Sequence, residues 1–382
     1  MLNTVSHNKV PRNSNMELLR IAAMLMIIAY HFELHCITPQ LENNSLFNSC
    51  MFYRKLLILQ ALEPLGKTGD AIFILISGYF MFPKGRNIDL YKVSKKLLFP
   101  LGFASIILVI LSTVCYKLFP NRQFDLYVFP YFNTLSWFAG YYFLIIVIAK
   151  LFLNNFLSGL DRPQFLSFIA VIFAVVQFTW SGDILDNFSS GLRNLGAGIF
   201  LYSLGGFISR YDPFEKVYSF VFAAVILFCY GLVFLSFYNS TVTRTGSIIA
   251  KLGSEAMYYS FAQKFHSFYD YSIISIAVGV SIFELFRRIH IPTNKVINYL
   301  GSATFMVYLF HDNPFAYSVW AVNDWITLLY DSPAAFILKL AVWVLLTFTA
   351  GVTVYALYQA FLQLLHKTGR LFLKNTGDGF GC

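Results

Sequence analysis

The feature that most constrains this chain is a series of apolar segments that repeatedly reach the length needed to cross a lipid bilayer, with the basic residues in short groups between them. A hydrocarbon core about 30 Å thick is crossed by roughly 20 apolar residues in a helix. Only 12% of the residues are charged and 57% are hydrophobic, whereas soluble domains carry about twice that charge. The sequence therefore predicts an all-α integral membrane protein.

The apolar segments predict a bundle of about ten transmembrane helices. The first begins at Met16 and is followed by no small-residue cleavage pattern, so we expect a retained signal anchor. The other nine are expected at residues 66–82, 98–118, 135–153, 164–181, 190–209, 214–236, 270–287, 297–311 and 334–364. This predicts a polar cytoplasmic N-terminus at 1–15, a transmembrane domain at 16–365 and a cytoplasmic tail at 366–382.

The distribution of charge predicts that both termini are cytoplasmic and that the protein resides in the cell membrane. Lys and Arg concentrate on the cytoplasmic side of membrane proteins, and the loop from Asp312 through Asp331 carries only acidic charge. The predicted inner loops carry Lys84, Arg86, Lys92, Lys95, Lys96, Arg210, Lys216, Arg287, Arg288 and Lys295. Topology thus explains most of the net charge of +9. The basic residues are scattered in short groups and do not line one face, which disfavours a nucleic-acid partner.

The five cysteines include no CxxC pair, which disfavours a zinc or thioredoxin-like site. Cys36 and Cys50 fall on the same predicted outer loop. Either a disulfide or two free thiols is compatible with that placement.

Ionisable side chains within the spans are costly and are therefore the candidates for function. Arg20 and His31 are 11 residues apart, so they project from one stripe of the first helix about 16 Å apart. Desolvation favours the neutral form of a deep imidazole, which can then act as a general base. The alternative is that His31 only links helices and that Arg20 reaches back to the interface.

The remaining polar residues allow both chemical and structural interpretations. Asp70 could orient an imidazole such as His31 or be a solvated carboxylate at the start of a helix. Ser77 could be a nucleophile, although the pair it forms with Gly78 more simply permits close helix packing. His311 could lie at the interface without further function.

A metal site is tempting on the spacing of His31, Glu33 and His35, because i,i+4 histidines share a helix face. No further ligand cluster is evident elsewhere in the sequence. We therefore predict no metal.

Four stretches resemble the membrane acyltransferase 3 family, whose members transfer acyl groups, usually acetyl, to sugar hydroxyls of bacterial surface glycans. Residues 20–31 match the family's arginine, ten residues and histidine in the first membrane helix, and residues 73–80 are similar to its aromatic, three residues and Ser-Gly-aromatic helix. Residues 95–100 resemble its basic pair followed by a proline, with lysine where arginine is usual. Residues 305–311 resemble its late tyrosine and histidine segment.

The resemblance implies a membrane O-acyltransferase, most specifically an O-acetyltransferase. The implied donor is a cytosolic acyl-CoA, either acetyl-CoA or another acyl-CoA. The implied acceptor is a surface glycan or a lipid-linked sugar. His31 would then either deprotonate the sugar hydroxyl or carry the acyl group itself.

We expect catalytic roles for His31, Asp70 and His311. The side chains expected to bind the donor phosphates are Arg20, Arg86, Lys92, Lys95 and Lys96, and those expected to bind substrate are Ser77, Tyr79 and Tyr308. Two alternatives remain: an exporter of polysaccharide or lipid-linked glycan that transfers no acyl group, and a structural membrane subunit, which would not need such buried charges.

Overall fold

A computed structural model of the protein describes residues 13–41, 54–127, 137–177, 190–238 and 271–377, and every regular element within these ranges is helical. The α-helices are α1 Ser14–Phe32, α2 Thr38–Leu41, α3 Leu57–Leu62, α4 Leu65–Met81, α5 Leu90–Leu118, α6 Trp137–Ile148, α7 Asn154–Ser158, α8 Arg162–Gln177, α9 Ser190–Tyr211, α10 Ser219–Phe237, α11 Ile273–Arg288, α12 Lys295–His311, α13 Pro314–Trp320, α14 Trp325–Asp331 and α15 Pro333–Gly377. Glu33–Ile37 and Ala149–Leu153 are π-helical, and Phe82–Asn87 is a 3-10 helix. The all-α prediction is confirmed for these ranges.

Six helical segments of the described chain are long and apolar enough to cross a membrane. They are Ser14–Leu41, Leu57–Gly85, Leu90–Leu118, Trp137–Ser158, Ser219–Phe237 and Pro333–Thr368. The other four predicted spans are also helical, as α8, α9, α11 and α12, but these are shorter or less apolar. A multi-pass membrane protein is therefore supported, while the count of ten and the cytoplasmic termini stay predictions.

Helices α1 and α4 form the centre of the bundle. In their most apolar stretches 61% and 67% of the residues are buried, compared with 22% in α5 and in α10. Helix α1 packs against α4, α12 and α15, and α4 packs in addition against α9 and α11. The side chains of α1 therefore face other helices along much of its length, which is where polar groups inside a membrane protein are expected.

Two glycines let α4 approach its neighbours closely. A Cβ at Gly69 would lie 2.8 Å from the carbonyl oxygen of Ala23 on α1, and one at Gly78 would overlap the carbonyl oxygen of Tyr202 on α9. Small residues are what allow membrane helices to bring their backbones together. The structure thus supports the packing interpretation of Gly78.

A network of charges fastens the end of α11 to the turn after α9. The guanidinium of Arg287 donates to both carboxylate oxygens of Asp212, at 2.6 and 2.9 Å, and to the fully buried Glu284 at 2.8 Å. Arg288 donates to the backbone carbonyls of Phe214 and Val217. These two arginines, which the sequence offered as topology signals, are held in structural contacts.

We predict that Gly78→Ala lowers the thermal midpoint of the detergent-solubilised protein, because the added methyl group overlaps the α9 backbone. Overpacking of this kind costs about 1–3 kcal/mol. The matched control is Gly231→Ala on α10, where an added Cβ meets nothing within 4 Å. The control should unfold at the wild-type temperature or slightly above it, and equal melting of the two variants would contradict the close crossing of α4 and α9.

Candidate active site

The end of α1 carries the histidine that the sequence placed deep in the first span. His31 lies in the last helical turn, and 9% of its surface is exposed. The helix continues directly into the π-helical turn Glu33–Ile37, where the hydroxyl of Thr38 donates to the buried carboxylate of Glu33. Such π-helical insertions are frequent at functional sites.

The end of α12 is fixed by a short local sequence. Asn313 caps the next helix, α13, by accepting the backbone N–H of Ala316 at 3.0 Å, and Pro314 fills the first turn of that helix. The Asn313 side chain also donates to the carbonyl of Phe310 at 2.8 Å. Asparagine caps with proline in the first turn are favoured starts of helices. This sharp break leaves His311 and Asp312 at the junction of α12 and α13.

The two histidines meet across the α1–α12 interface. His31 Nδ1 lies 3.0 Å from His311 Nε2, and the ring centroids are 5.1 Å apart. The sequence predicted a catalytic role for each histidine separately, and the structure brings the two into direct contact.

The hydrogen-bond partner of His311 determines which nitrogens of the two rings carry protons. His311 Nδ1 lies 2.7 Å from the backbone carbonyl of Val307, which can only accept, so Nδ1 carries the proton. In a neutral ring Nε2 of His311 is then an acceptor, and Nδ1 of His31 must be the donor between the two. His31 is thereby held in the tautomer that presents the lone pair of its Nε2.

Asp312 places a carboxylate beside this pair. Its Oδ1 lies 3.7 Å from His31 Nδ1 and accepts the hydroxyl of Tyr317. The ring of Tyr317 stacks on His35 with centroids 4.1 Å apart. No site role was predicted for Asp312, whose signals in the sequence are its position next to His311 and its place at the start of the acidic loop.

Asp70 lies near the site with a partner of its own. Its Oδ2 is 3.7 Å from Lys67 Nζ, and both side chains are largely buried. Lys67 also lies over the rings of Trp137 and Tyr271, 4.5 and 5.2 Å from their centroids. The carboxylate beside His31 is thus Asp312, whereas the proposed role of Asp70 in orienting the imidazole stays a prediction. Lys67, a cation close enough to interact electrostatically with His31, was missed by the sequence analysis.

Arg20 lies near the opposite end of α1. Its Nη1 donates to the Glu17 carboxylate at 2.6 Å, and 30% of its side chain is exposed. The 11-residue separation places it about 16 Å from His31 along the helix. The stripe predicted from the sequence therefore has an arginine at one end and the histidine pair at the other.

The basic residues around the start of α5 are open to their surroundings. Asp89 caps this helix by accepting the backbone N–H of Lys92 at 3.1 Å, a bond that lowers the pKa of the Asp89 carboxyl. The side chains of Lys92, Lys95 and Lys96 are exposed, and Lys95 lies 4.2 Å from the ring centroid of Tyr91. Nothing is described for the side chain of Arg86, which was the remaining candidate on this side.

The residues predicted to bind substrate lie in different surroundings. Tyr308 is buried, and its hydroxyl accepts the backbone N–H of Phe138 at 3.4 Å. The Ser77 hydroxyl donates to the carbonyl of Phe73 at 2.8 Å and lies 3.2 Å from the Tyr142 hydroxyl. The structure brings Tyr308 next to the histidine pair, with its ring centroid 6.1 Å from that of His311.

Tyr79 packs against Phe80 on its own helix and against Phe283 on α11, with ring centroids 5.1 and 5.6 Å apart. Cys36 is buried, but Cys50 lies outside the described residues, so the choice between a disulfide and two free thiols stays open.

One set of side chains at the site has the composition of a metal centre. One ligand atom from each of His31, His35 and Asp312 lies within 4.8 Å of the other two. The sequence suggested the two histidines, but the carboxylate comes from the residue that follows α12, 277 positions later in the chain than His35.

The sequence model of a family described as an acyltransferase domain matches residues 13–359, which is most of the chain. No curated protein and no solved structure matches.

Proposed function

Because the chain belongs to the acyltransferase 3 family, whose sequence model matches residues 13–359, we propose that it is a membrane O-acyltransferase, most specifically an O-acetyltransferase. It moves an acyl group from cytosolic acyl-CoA to a hydroxyl of a cell-surface or lipid-linked polysaccharide. The single observation that supports this chemistry best is the His31–His311 contact, which presents the Nε2 lone pair of His31 inside the bundle.

The proposed reaction begins with His31 Nε2 removing the proton of the acceptor hydroxyl. The hydroxyl oxygen bonds to the thioester carbonyl carbon, the carbon–sulfur bond breaks, and the proton on Nε2 passes to the departing thiolate of CoA. The products are the O-acyl ester and free CoA. A positioned base of this kind typically contributes 10²–10⁴-fold to the rate.

The neighbouring charges suit the two charges that develop during transfer. Asp312, 3.7 Å from His31 Nδ1, stabilises the imidazolium that forms when Nε2 takes its proton. Lys67 lies 3.7 Å from Asp70 and carries a positive charge. In the proposed reaction this charge stabilises the negative charge that develops on the thioester oxygen.

The donor is proposed to bind with its phosphates at the Arg20 end of α1 and its thioester at the His31 end. The pantetheine arm of CoA is long and flexible, and the separation of about 16 Å along the helix is of the kind such an arm spans. The exposed Lys92, Lys95 and Lys96 supply further cations, and Lys binds phosphate as a point charge.

We predict that His31→Ala abolishes transfer of radiolabelled acetyl from acetyl-CoA to glycan in membranes that hold the protein. Loss of a general base lowers the rate roughly 10²–10⁴-fold, while the variant should stay folded and inserted in the membrane. Normal glycan acylation by the variant would sink the proposal. The exporter would be favoured by a different result. In that case neither wild type nor His31→Ala would transfer label, while glycan would reach the surface only when the protein is present.

We predict that His311→Gln retains more activity than His311→Phe. A glutamine carbonyl can accept from His31 Nδ1 and keep the reactive tautomer, whereas phenylalanine cannot accept. Phenylalanine should lower kcat roughly 10–100-fold, as loss of a second partner of a functional histidine does, with little change in the KM for acetyl-CoA. Equal kcat in the two variants would show that His311 does not set the tautomer.

We predict that replacing Lys95 and Lys96 together by Ala raises the KM for acetyl-CoA more than it lowers kcat. The two lysines are proposed to bind the phosphates equally well in the ground state and in the transition state. Loss of such binding raises KM and leaves kcat nearly unchanged. The matched control is Lys339→Ala on α15, whose ammonium lies 5.3 Å from the ring centroid of Trp325. An unchanged KM in the double variant would remove these lysines from the donor site.

A further inference from the structure

The His31, His35 and Asp312 side chains form a group that the acyl-transfer reaction does not account for. The reaction uses Nε2 of His31 and the charge of Asp312, whereas His35 has no part in it. His35 is the residue that completes a set of two imidazoles and one carboxylate, with all three ligand atoms within 4.8 Å of one another.

We propose that this group binds a divalent transition-metal ion, Zn²⁺ above all, and that the bound ion inhibits acyl transfer. The metal site itself is independent of the proposed function, but the inhibition rests on it.

The donor set matches the chemistry of such ions. Two histidines and one carboxylate, with a fourth position left for water, are a recurrent three-ligand set for Zn²⁺. With metal–ligand bonds of about 2.0–2.2 Å, ligands of a tetrahedral site lie a little over 3 Å apart. His31 Nδ1 and Asp312 Oδ1 are already 3.7 Å apart. Binding of an ion therefore requires mainly a movement of the His35 ring toward these two atoms.

The surroundings hold the ligands in place as metal sites require. Asp312 accepts the hydroxyl of Tyr317, whose ring also stacks on His35, so a single tyrosine on α13 orients two of the three ligands. Partners that orient ligands are typical of metal sites and affect their affinity by 10–100-fold.

Coordination changes the tautomer of His31. Without metal, Nδ1 donates to His311 and the lone pair is on Nε2. When Nδ1 binds the ion it must surrender its proton, and the neutral ring then carries its proton on Nε2. The ring charge is unchanged, but Nε2 can no longer accept a proton from a hydroxyl. A metal ion at this site therefore blocks the general base.

The first test measures binding without reference to activity. Co²⁺ is titrated into detergent-solubilised full-length protein, purified through a tag that holds no histidine, and the visible absorption of four-coordinate cobalt is recorded. Wild type should bind one ion with this spectrum. His35→Phe keeps an aromatic ring on Tyr317 but removes a ligand, and should weaken binding by at least about 100-fold. The control is His290→Phe, an exposed histidine that should leave binding unchanged.

The second test measures inhibition. Zn²⁺ should inhibit acetyl transfer by wild type and by His290→Phe, with activity restored by a chelator, while His35→Phe keeps wild-type basal activity and resists Zn²⁺. Equal Co²⁺ binding by wild type and His35→Phe would overturn the site. If binding depends on His35 but Zn²⁺ does not inhibit an active enzyme, the blocking of His31 is overturned. If no acyl transfer occurs at all, cobalt binding still decides the metal site separately from the proposed function.

Discussion

The hydrogen bond from His311 Nδ1 to the carbonyl of Val307 is the interaction on which the chemistry of this site depends. Away from water, each polar hydrogen of a buried ring needs an acceptor inside the protein. The carbonyl cannot donate, so it fixes the proton of His311 and, through the 3.0 Å contact, that of His31. A backbone group one helical turn away thus determines which nitrogen of a distant residue can act as a base.

The bundle supplies the geometry for this pair. Helix α1 packs against α4, α12 and α15, and its contact with α12 brings the two imidazoles together. Gly69 lets α4 lie against the backbone of α1 on another side. Helix α12 ends at His311, and the Asn313 cap with Pro314 starts α13 two residues later, which leaves the carboxylate of Asp312 beside the rings. Tight packing in apolar helices and a local helix break therefore act together.

The proposed acyl transfer and the proposed metal site share the ring of His31. The first uses Nε2 of His31, and the second uses Nδ1, which lies 3.7 Å from Asp312 in the group that also includes His35. An imidazole that uses one nitrogen to bind a metal retains its proton on the other. The two proposed roles therefore exclude each other, and the tautomer of the His31 ring is the physical quantity that couples them.

Sequence alone determined the features that depend on local composition. Apolar segments of bilayer length predicted the helices, and the spacing of Arg20 and His31 placed an arginine and an imidazole on one stripe, because helix formation and burial in lipid follow from neighbouring residues. The structure alone decided which polar groups meet. His31 lies 3.0 Å from His311 and 3.7 Å from Asp312, two residues near the far end of the chain. Contacts between residues some 280 positions apart depend on how helices pack against one another, and the periodicity of a single helix carries no information about its partner.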